Sequence, residues 1–223
     1  MQHFELVIFD LDGTLVDTAV DVHISLNLAL EEMGLPHISM ETAKLAIGPG
    51  PADFIKYVLG EANLSRKDEI RRLFRSIYRQ RCTDHAQLFE GIGEVLETLQ
   101  EANVKLAVAT NKARASTDFI LHALEIDSFF HRTITRNEVE NPKPHPDMIL
   151  KLCSDLEISP QKTMMVGDTD NDILAAQAAG VKSCVARWGY SHHMDQLIAM
   201  ADYALSQPAE LLECVENRVL QDA

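Results

Sequence analysis

The strongest constraint in this chain is a set of short, nearly unbroken apolar runs at Leu6–Phe9, Lys105–Ala109, Thr163–Val166 and Ser183–Ala186. Runs this short, without polar alternation, suit strands buried on both faces, as in a parallel sheet. Arg132–Thr135 and Asp202–Leu205 are weaker candidates of the same kind. Between them lie segments with helical spacing: Gly93–Ala102, Ser116–Leu124, Pro146–Leu156 and Asp172–Ala179. Alternating strand and helix predicts an α/β fold with a doubly wound, Rossmann-like parallel sheet.

Residues 17–88 break that rhythm. Thr18–Met33, Met40–Ile47, Ala52–Leu59 and Ser65–Arg81 all read as helices, the first closed by Gly34. The chain is therefore expected to divide into an α/β core of residues 1–16 and 89–223 and an inserted helical cap of residues 17–88. The exits would lie near Val16–Thr18 and Leu88–Gly91.

Composition narrows the function classes. Hydrophobic residues are 46% and charged residues 24%, ordinary for a globular chain of 223 residues. The net charge of −14 argues against a nucleic-acid partner, which needs clustered Lys and Arg. No apolar run approaches the roughly 18 residues of a membrane span, and no basic segment followed by an apolar stretch opens the chain. The expected location is cytoplasmic, where Cys82, Cys153, Cys184 and Cys214 stay thiols. None of them has CxxC spacing, so zinc is not indicated.

The residues that point to chemistry stand where strands end. Asp10-Leu11-Asp12-Gly13-Thr14 follows the first run, and ligands of open α/β sheets bind beyond the C-terminal ends of strands. Two carboxylates this close need a cation between them, and oxygen-only ligation suits Mg²⁺. Gly167-Asp168-Thr169-Asp170-Asn171-Asp172 repeats the pattern after Thr163–Val166. Asp168 and Asp172 can alternatively be read as acids at a helix start. Thr110-Asn111 ends another strand, where a hydroxyl and helix-start N–H groups can meet phosphate. Lys143 stands between Pro142 and Pro144, a stiff loop that positions its ammonium. Such local groups set the field of a cleft whatever the total charge.

In this order the four pieces resemble the four motifs of the haloacid dehalogenase-like (HAD) hydrolase superfamily, and the insert resembles the helical cap of its phosphoglycolate phosphatase-like members. The resemblance implies a Mg²⁺-dependent phosphatase that hydrolyses a small phosphomonoester, phosphoglycolate-like, through an aspartyl phosphate. It implies Asp10 as nucleophile, Asp12 as general acid and base, and Thr110 and Lys143 as phosphate binders. Gly13, Thr14 and Asn111 are expected at the substrate. Asp10, the Asp12 carbonyl and Asp168 are expected at the metal, with Asp172 behind them. The partner is a small phosphorylated metabolite, with neither nucleic acid nor membrane, and the protein is expected as monomer or homodimer.

Competing activities leave traces in the same residues. Dehalogenases and phosphonate-cleaving relatives replace the second aspartate, so Asp12 speaks against both, whatever the cap lysines Lys44 and Lys56 do. Sugar phosphomutases keep both aspartates and resemble Asp17-Thr18-Ala19. Their cap histidine would fall on Val22, with His23 one residue late. A non-catalytic phosphate-accepting signalling domain would lack an insert of this length.

Arg71, Arg75 and Arg79 share one helix face, read either as solvated surface or as contacts for a substrate carboxylate. Gly48-Pro49-Gly50-Pro51 reads as a helix–helix turn or as a loop facing substrate. His192-His193 lacks a third ligand, and Trp188-Gly189-Tyr190 receives no role.

Overall fold

The computed structural model describes residues 4–47 and 56–216. Six strands form one parallel sheet: β1 (Leu6–Phe9), β4 (Lys105–Thr110), β5 (Arg132–Thr135), β6 (Thr163–Gly167), β7 (Lys182–Ala186) and β8 (Tyr203–Leu205), in the order β5-β4-β1-β6-β7-β8. β1 lies in the middle, with Leu6 opposite Lys105 on one side and Thr163 on the other.

The apolar runs are continuous because both faces are covered. Val7 and Phe9 point into one buried cluster with Val95, Leu96 and Leu99 of α4 (Ile92–Glu101) and Ile120 of α5 (Arg114–Ala123). Leu6 and Ile8 point to the opposite face, against Ile149 and Leu152 of α6 (Asp147–Asp155) and Ala175 and Ala176 of α7 (Asp170–Ala179). This is the period-two alternation of a strand with a core on each side. α8 (Met194–Met200) covers Val185 through Leu197, and α9 (Glu210–Glu216) follows β8. The sheet and helices expected from residue 90 onward are all present, with boundaries shifted by one or two residues.

The strand order reverses about β1. The chain steps from β1 to β4 and β5 on one side, then crosses to β6, β7 and β8 on the other. Such a switch point opens a crevice at the carboxyl ends of the central strands. Asp10, Thr110 and Asp168 stand at those ends, directly after or on β1, β4 and β6.

Between β1 and β4 the described residues contribute helices and one short ribbon. α1 (Ala19–Glu32) packs on α2 (Met40–Leu45) and on α3 (Lys67–Arg81), which a 3₁₀ turn at Glu61–Arg66 precedes. Residues 56–59 are helical, whereas 52–55 of the expected helix and Gly48–Pro51 lie outside the described residues. Where the helical stretch leaves and rejoins the sheet, β2 (Val16–Asp17) pairs antiparallel with β3 (Gln87–Leu88). The sequence pattern did not disclose this ribbon, since two-residue strands carry no periodicity. Arg75 and Arg79 are exposed on α3 and Arg71 is half-buried, while Ile70 and Tyr78 are buried.

Candidate active site

The turn after β1 is tightly wound. Leu15 and Val16 both donate backbone bonds to the Leu11 carbonyl, and Gly13 donates to Val16. Gly13 has φ of 83°, and a Cβ there would overlap the Asp168 carboxylate. Only glycine combines that left-handed backbone with such close approach. The turn thereby sends Asp10 and Asp12 to different partners.

Asp10 is buried beside Lys143, whose Nζ lies 3.0 Å from Oδ1. The pair is not aligned as a hydrogen bond, and Asp10 Oδ1 has no hydrogen-bond partner among the described residues. Lys143 instead donates to Asp172 Oδ1 at 2.5 Å and to the Ala109 carbonyl at 2.7 Å. Burial pushes the Asp10 carboxyl up to about 6; Lys143 opposes the rise, and Asp172 and Asp12 add to it. Burial pushes Asp168 up as well, with the charges of Asp172 and Asp10 in the same direction.

Asp12 has its own lysine. Lys112 Nζ donates to both carboxylate oxygens, at 2.7 and 2.9 Å, and Thr18 Oγ1 donates to Oδ1 at 2.6 Å. The Lys112 side chain is 8% exposed, and its ammonium lies over the Tyr78 ring of α3, 4.6 Å from the centroid.

Asp10, Asp168 and Asp172 bring carboxylate oxygens within 4.8 Å of one another, all buried. Three ionised carboxylates against one ammonium would leave two negative charges uncompensated in the interior, which is unfavourable. The three do not have equal freedom to bind a cation. Asp172 is fully used: Oδ1 takes Lys143, and Oδ2 takes the Thr169 N–H at 3.1 Å and hydroxyl at 2.7 Å. It closes a capping box on α7, so the helix-start and site readings of the acidic cluster both apply. Asp10 has an orphaned oxygen, and Asp168 accepts one hydrogen bond at each oxygen and none from a cation. An all-oxygen donor set with an excess of negative charge fits a hard divalent cation.

Several predicted site residues serve as braces. Thr14 is buried, and its hydroxyl donates to Asp168 Oδ1 at 3.2 Å. The Asn111 amide donates to the Lys143 carbonyl at 2.9 Å, fixing the lysine loop. Thr110 is buried at the end of β4, where its Oγ1 accepts the Lys112 N–H at 3.2 Å.

Two functional neighbours escaped the sequence reading. Lys112 directly follows Thr110-Asn111 in the sequence. Tyr190 lies in the segment left without a role: its N–H donates to Asp168 Oδ2 at 2.8 Å, and its hydroxyl donates to Asp17 at 2.7 Å while accepting the Thr18 N–H at 2.8 Å. Gly189 permits this, because a Cβ there would overlap both Asp168 and the Gly13 carbonyl. Trp188 Nε1 donates to the Thr14 carbonyl at 3.0 Å.

Volume does not locate the site. A hollow of about 420 Å³ lined by Leu28, Glu31, Glu32, Ile77, Gln80 and Arg81 contains none of the convergent carboxylates.

A parallel sheet with carboxylates and lysines converging at its switch point defines a class of hydrolase, and the comparisons name it. A family model described as haloacid dehalogenase-like hydrolase matches residues 7–186, and the chain belongs to that family. A phosphoglycolate phosphatase of Aquifex aeolicus is 32% identical over 97% of this chain and 99% of its own length. One of Mannheimia succiniciproducens is 34% identical over 95% and 98%. The crystal structure of a predicted phosphoglycolate phosphatase from Haemophilus somnus superposes with a TM-score of 0.88 at 29% identity, covering 96% of this chain and 99% of that one. The protein is a phosphatase of the family, a phosphoric monoester hydrolase. Phosphatases of this family are metal-dependent, and the acidic cluster supplies a place for the ion. Among the described residues no helix is long and apolar enough to cross a membrane.

Proposed function

We propose that the protein hydrolyses phosphoglycolate or a closely similar small phosphomonoester, with Mg²⁺, through a phosphoryl group carried on Asp10. The observation that carries this reading is the separation of two aspartates from one turn, Asp10 to Lys143 and Asp12 to Lys112 and Thr18. Two carboxylates in different environments can take different roles in one reaction. The relatives' names support the substrate.

Asp10 attacks phosphorus, the bond to the alcohol oxygen breaks, and Asp12 gives that oxygen its proton. Water then gives a proton to Asp12 and attacks the acyl phosphate, which releases inorganic phosphate and restores the Asp10 carboxylate. Lys143, held by Asp172 and Ala109, meets the phosphoryl oxygens and steadies Asp10. Thr110 lies beside it at the end of β4 as a further phosphate contact. Asp10, the Asp12 carbonyl and Asp168 would hold Mg²⁺, which would supply charge neutralisation and alignment of the phosphoryl group. Tyr190 and Thr14 orient Asp168.

The helices between β2 and β3 act as the cap, with the β2–β3 ribbon as its hinge, so that residues 17–88 enclose the substrate over a core of 1–16 and 89–223. Enclosure excludes water until the alcohol has left. The expected location is cytoplasmic, and the expected assembly is monomer or homodimer.

Acid quench followed by mass spectrometry tests the mechanism. With an aryl phosphate, whose leaving group needs little protonation, Asp12→Asn should accumulate phosphate on Asp10, its turnover falling about a hundredfold to ten-thousandfold. Asp10→Asn should show no phosphoprotein and no turnover. Phosphate on another residue, or turnover surviving in Asp10→Asn, overturns the scheme.

A further inference from the structure

Tyr78 is the residue through which α3 touches the machinery at Asp12. Its side chain is buried, at 5% exposure, and stacks on Phe74 one turn earlier, with centroids 5.2 Å apart and planes 19° from parallel. The ring face carries the Lys112 ammonium. The phenol oxygen, however, is buried and makes no aligned hydrogen bond among the described residues, although the Lys112 ammonium stands close enough to act on it. A phenylalanine would give the same stack and the same face to the ammonium without an orphaned hydroxyl. A buried polar group without a partner calls for an explanation, and a ligand that brings the partner is one.

The ammonium over this ring is the one that bonds both oxygens of Asp12, so the tyrosine belongs to the Asp12 end of the site. Buried Cys82 is the other titratable neighbour on the same stretch of chain. In the reaction proposed above, Asp12 serves the departing alcohol, and groups beyond Asp12 therefore face the leaving group rather than the phosphoryl group. Lys112 has three N–H donors, of which Asp12 takes two. With Asp12 carrying the proton it delivers, the charge of Lys112 is left for the substrate.

We propose that Tyr78 Oη and Lys112 Nζ together receive a carboxylate on the leaving-group side of the substrate, which makes them the specificity-determining pair for phosphorylated small hydroxy acids. The inference rests on the phosphoglycolate reading and assigns the recognition of its second anionic group. Phenol and ammonium are both donors, and a carboxylate offers an acceptor oxygen to each. A sugar hydroxyl would satisfy the phenol and leave the cation without a counter-charge. The receptor is also split between α3 and the loop after β4, so it is complete only when the helices lie against the sheet.

The test compares phosphoglycolate with ethyl phosphate, which has the same two carbons and no carboxylate, in the wild-type protein and in Tyr78→Phe with saturating Mg²⁺. The wild type should favour phosphoglycolate in kcat/KM. Tyr78→Phe should cut that preference by about tenfold, chiefly through KM, since one hydrogen bond to a charged group is lost while the stack remains. A thermal melt of the variant confirms that the stack holds the fold. A wild-type preference that Tyr78→Phe leaves unchanged overturns the assignment of the receptor. A wild type with no preference between the two esters overturns the phosphoglycolate reading itself, and the receptor with it.

Discussion

The two lysines of the site invite comparison, because each meets one aspartate of the same turn and yet they are built from different parts of the molecule. Lys143 is tied to sheet and flanking helix alone: Asp10 after β1, the Ala109 carbonyl on β4 and Asp172 on α7. Its side chain is 2% exposed and its loop is braced by Asn111. Lys112 spans two regions, with Asp12 from the turn after the central strand β1 on one side and Tyr78 from α3 on the other. Asp12 is also the more open carboxylate, at 14% exposure. The half of the site proposed to meet phosphorus is therefore held within the core, and the half proposed to meet the leaving group is shared with the helices. Such a division lets one fold keep its chemistry while the helical segment changes what it accepts.

The comparison breaks most easily at the lysines. Lys143→Met leaves Asp10 and Asp172 buried without a cation, and losing one partner of a buried pair costs about 3–5 kcal/mol. Lys112→Met strands only the more open Asp12, so its cost should be about 1–3 kcal/mol. Urea unfolding of both variants without added metal measures the two. Equal losses would mean that the pairs are equally internal, which removes the distinction between a core half and a shared half.

A smaller effect tests the loop that joins the two halves. Gly189→Ala places a methyl group into Asp168 and the Gly13 carbonyl, and overpacking of this kind costs about 1–3 kcal/mol. Because the displaced groups belong to the proposed metal site and to the turn that carries Asp10, the Mg²⁺ concentration for half-maximal activity should also rise. A stability loss with unchanged Mg²⁺ dependence would leave the loop a purely structural role.

Which parts were legible in the sequence follows the same division. β1, β4 and β6 could be read because strands covered on both faces leave unbroken apolar runs, and Asp10, Thr110 and Asp168 because they sit at strand ends. Lys143 and Asp172 were legible as types of residue near the cleft, although their mutual bond came only with the fold. Lys112 was not, since its burial depends on Tyr78, which lies on a helix packed against it from a distant stretch of chain. Tyr190 was missed for the same reason, its partners Asp17, Thr18 and Asp168 being far from it in sequence. Thr14 and Asn111 show a different limit. The family resemblance puts them at the substrate, and the direction of each side chain came only with the fold: Thr14 donates to Asp168 and Asn111 to the Lys143 carbonyl.

The smallest expected effect concerns protons and cation on the core half alone. Asp10 is raised by burial to about 6, and Asp168 is raised too. A carboxyl raised on folding binds more protons in the native state than in the unfolded one, so it lowers stability as pH climbs from the unfolded value of 3.8 through about 6. A cation bound at the same oxygens competes with those protons. Added Mg²⁺ should therefore raise the melting temperature more at pH 7.5, where Asp10 is ionised, than at pH 5, where it holds a proton. The gain at pH 7.5 should be roughly 5–11 °C at about a hundredfold excess over the dissociation constant, which corresponds to about 2.7 kcal/mol. Differential scanning fluorimetry over the pH series measures it. Asp12→Asn should keep this dependence, because the Asp12 carboxylate belongs to the other lysine and contributes only its carbonyl to the proposed metal. A Mg²⁺ shift that is equal at both pH values, or one that disappears in Asp12→Asn, would show that the two halves titrate as one.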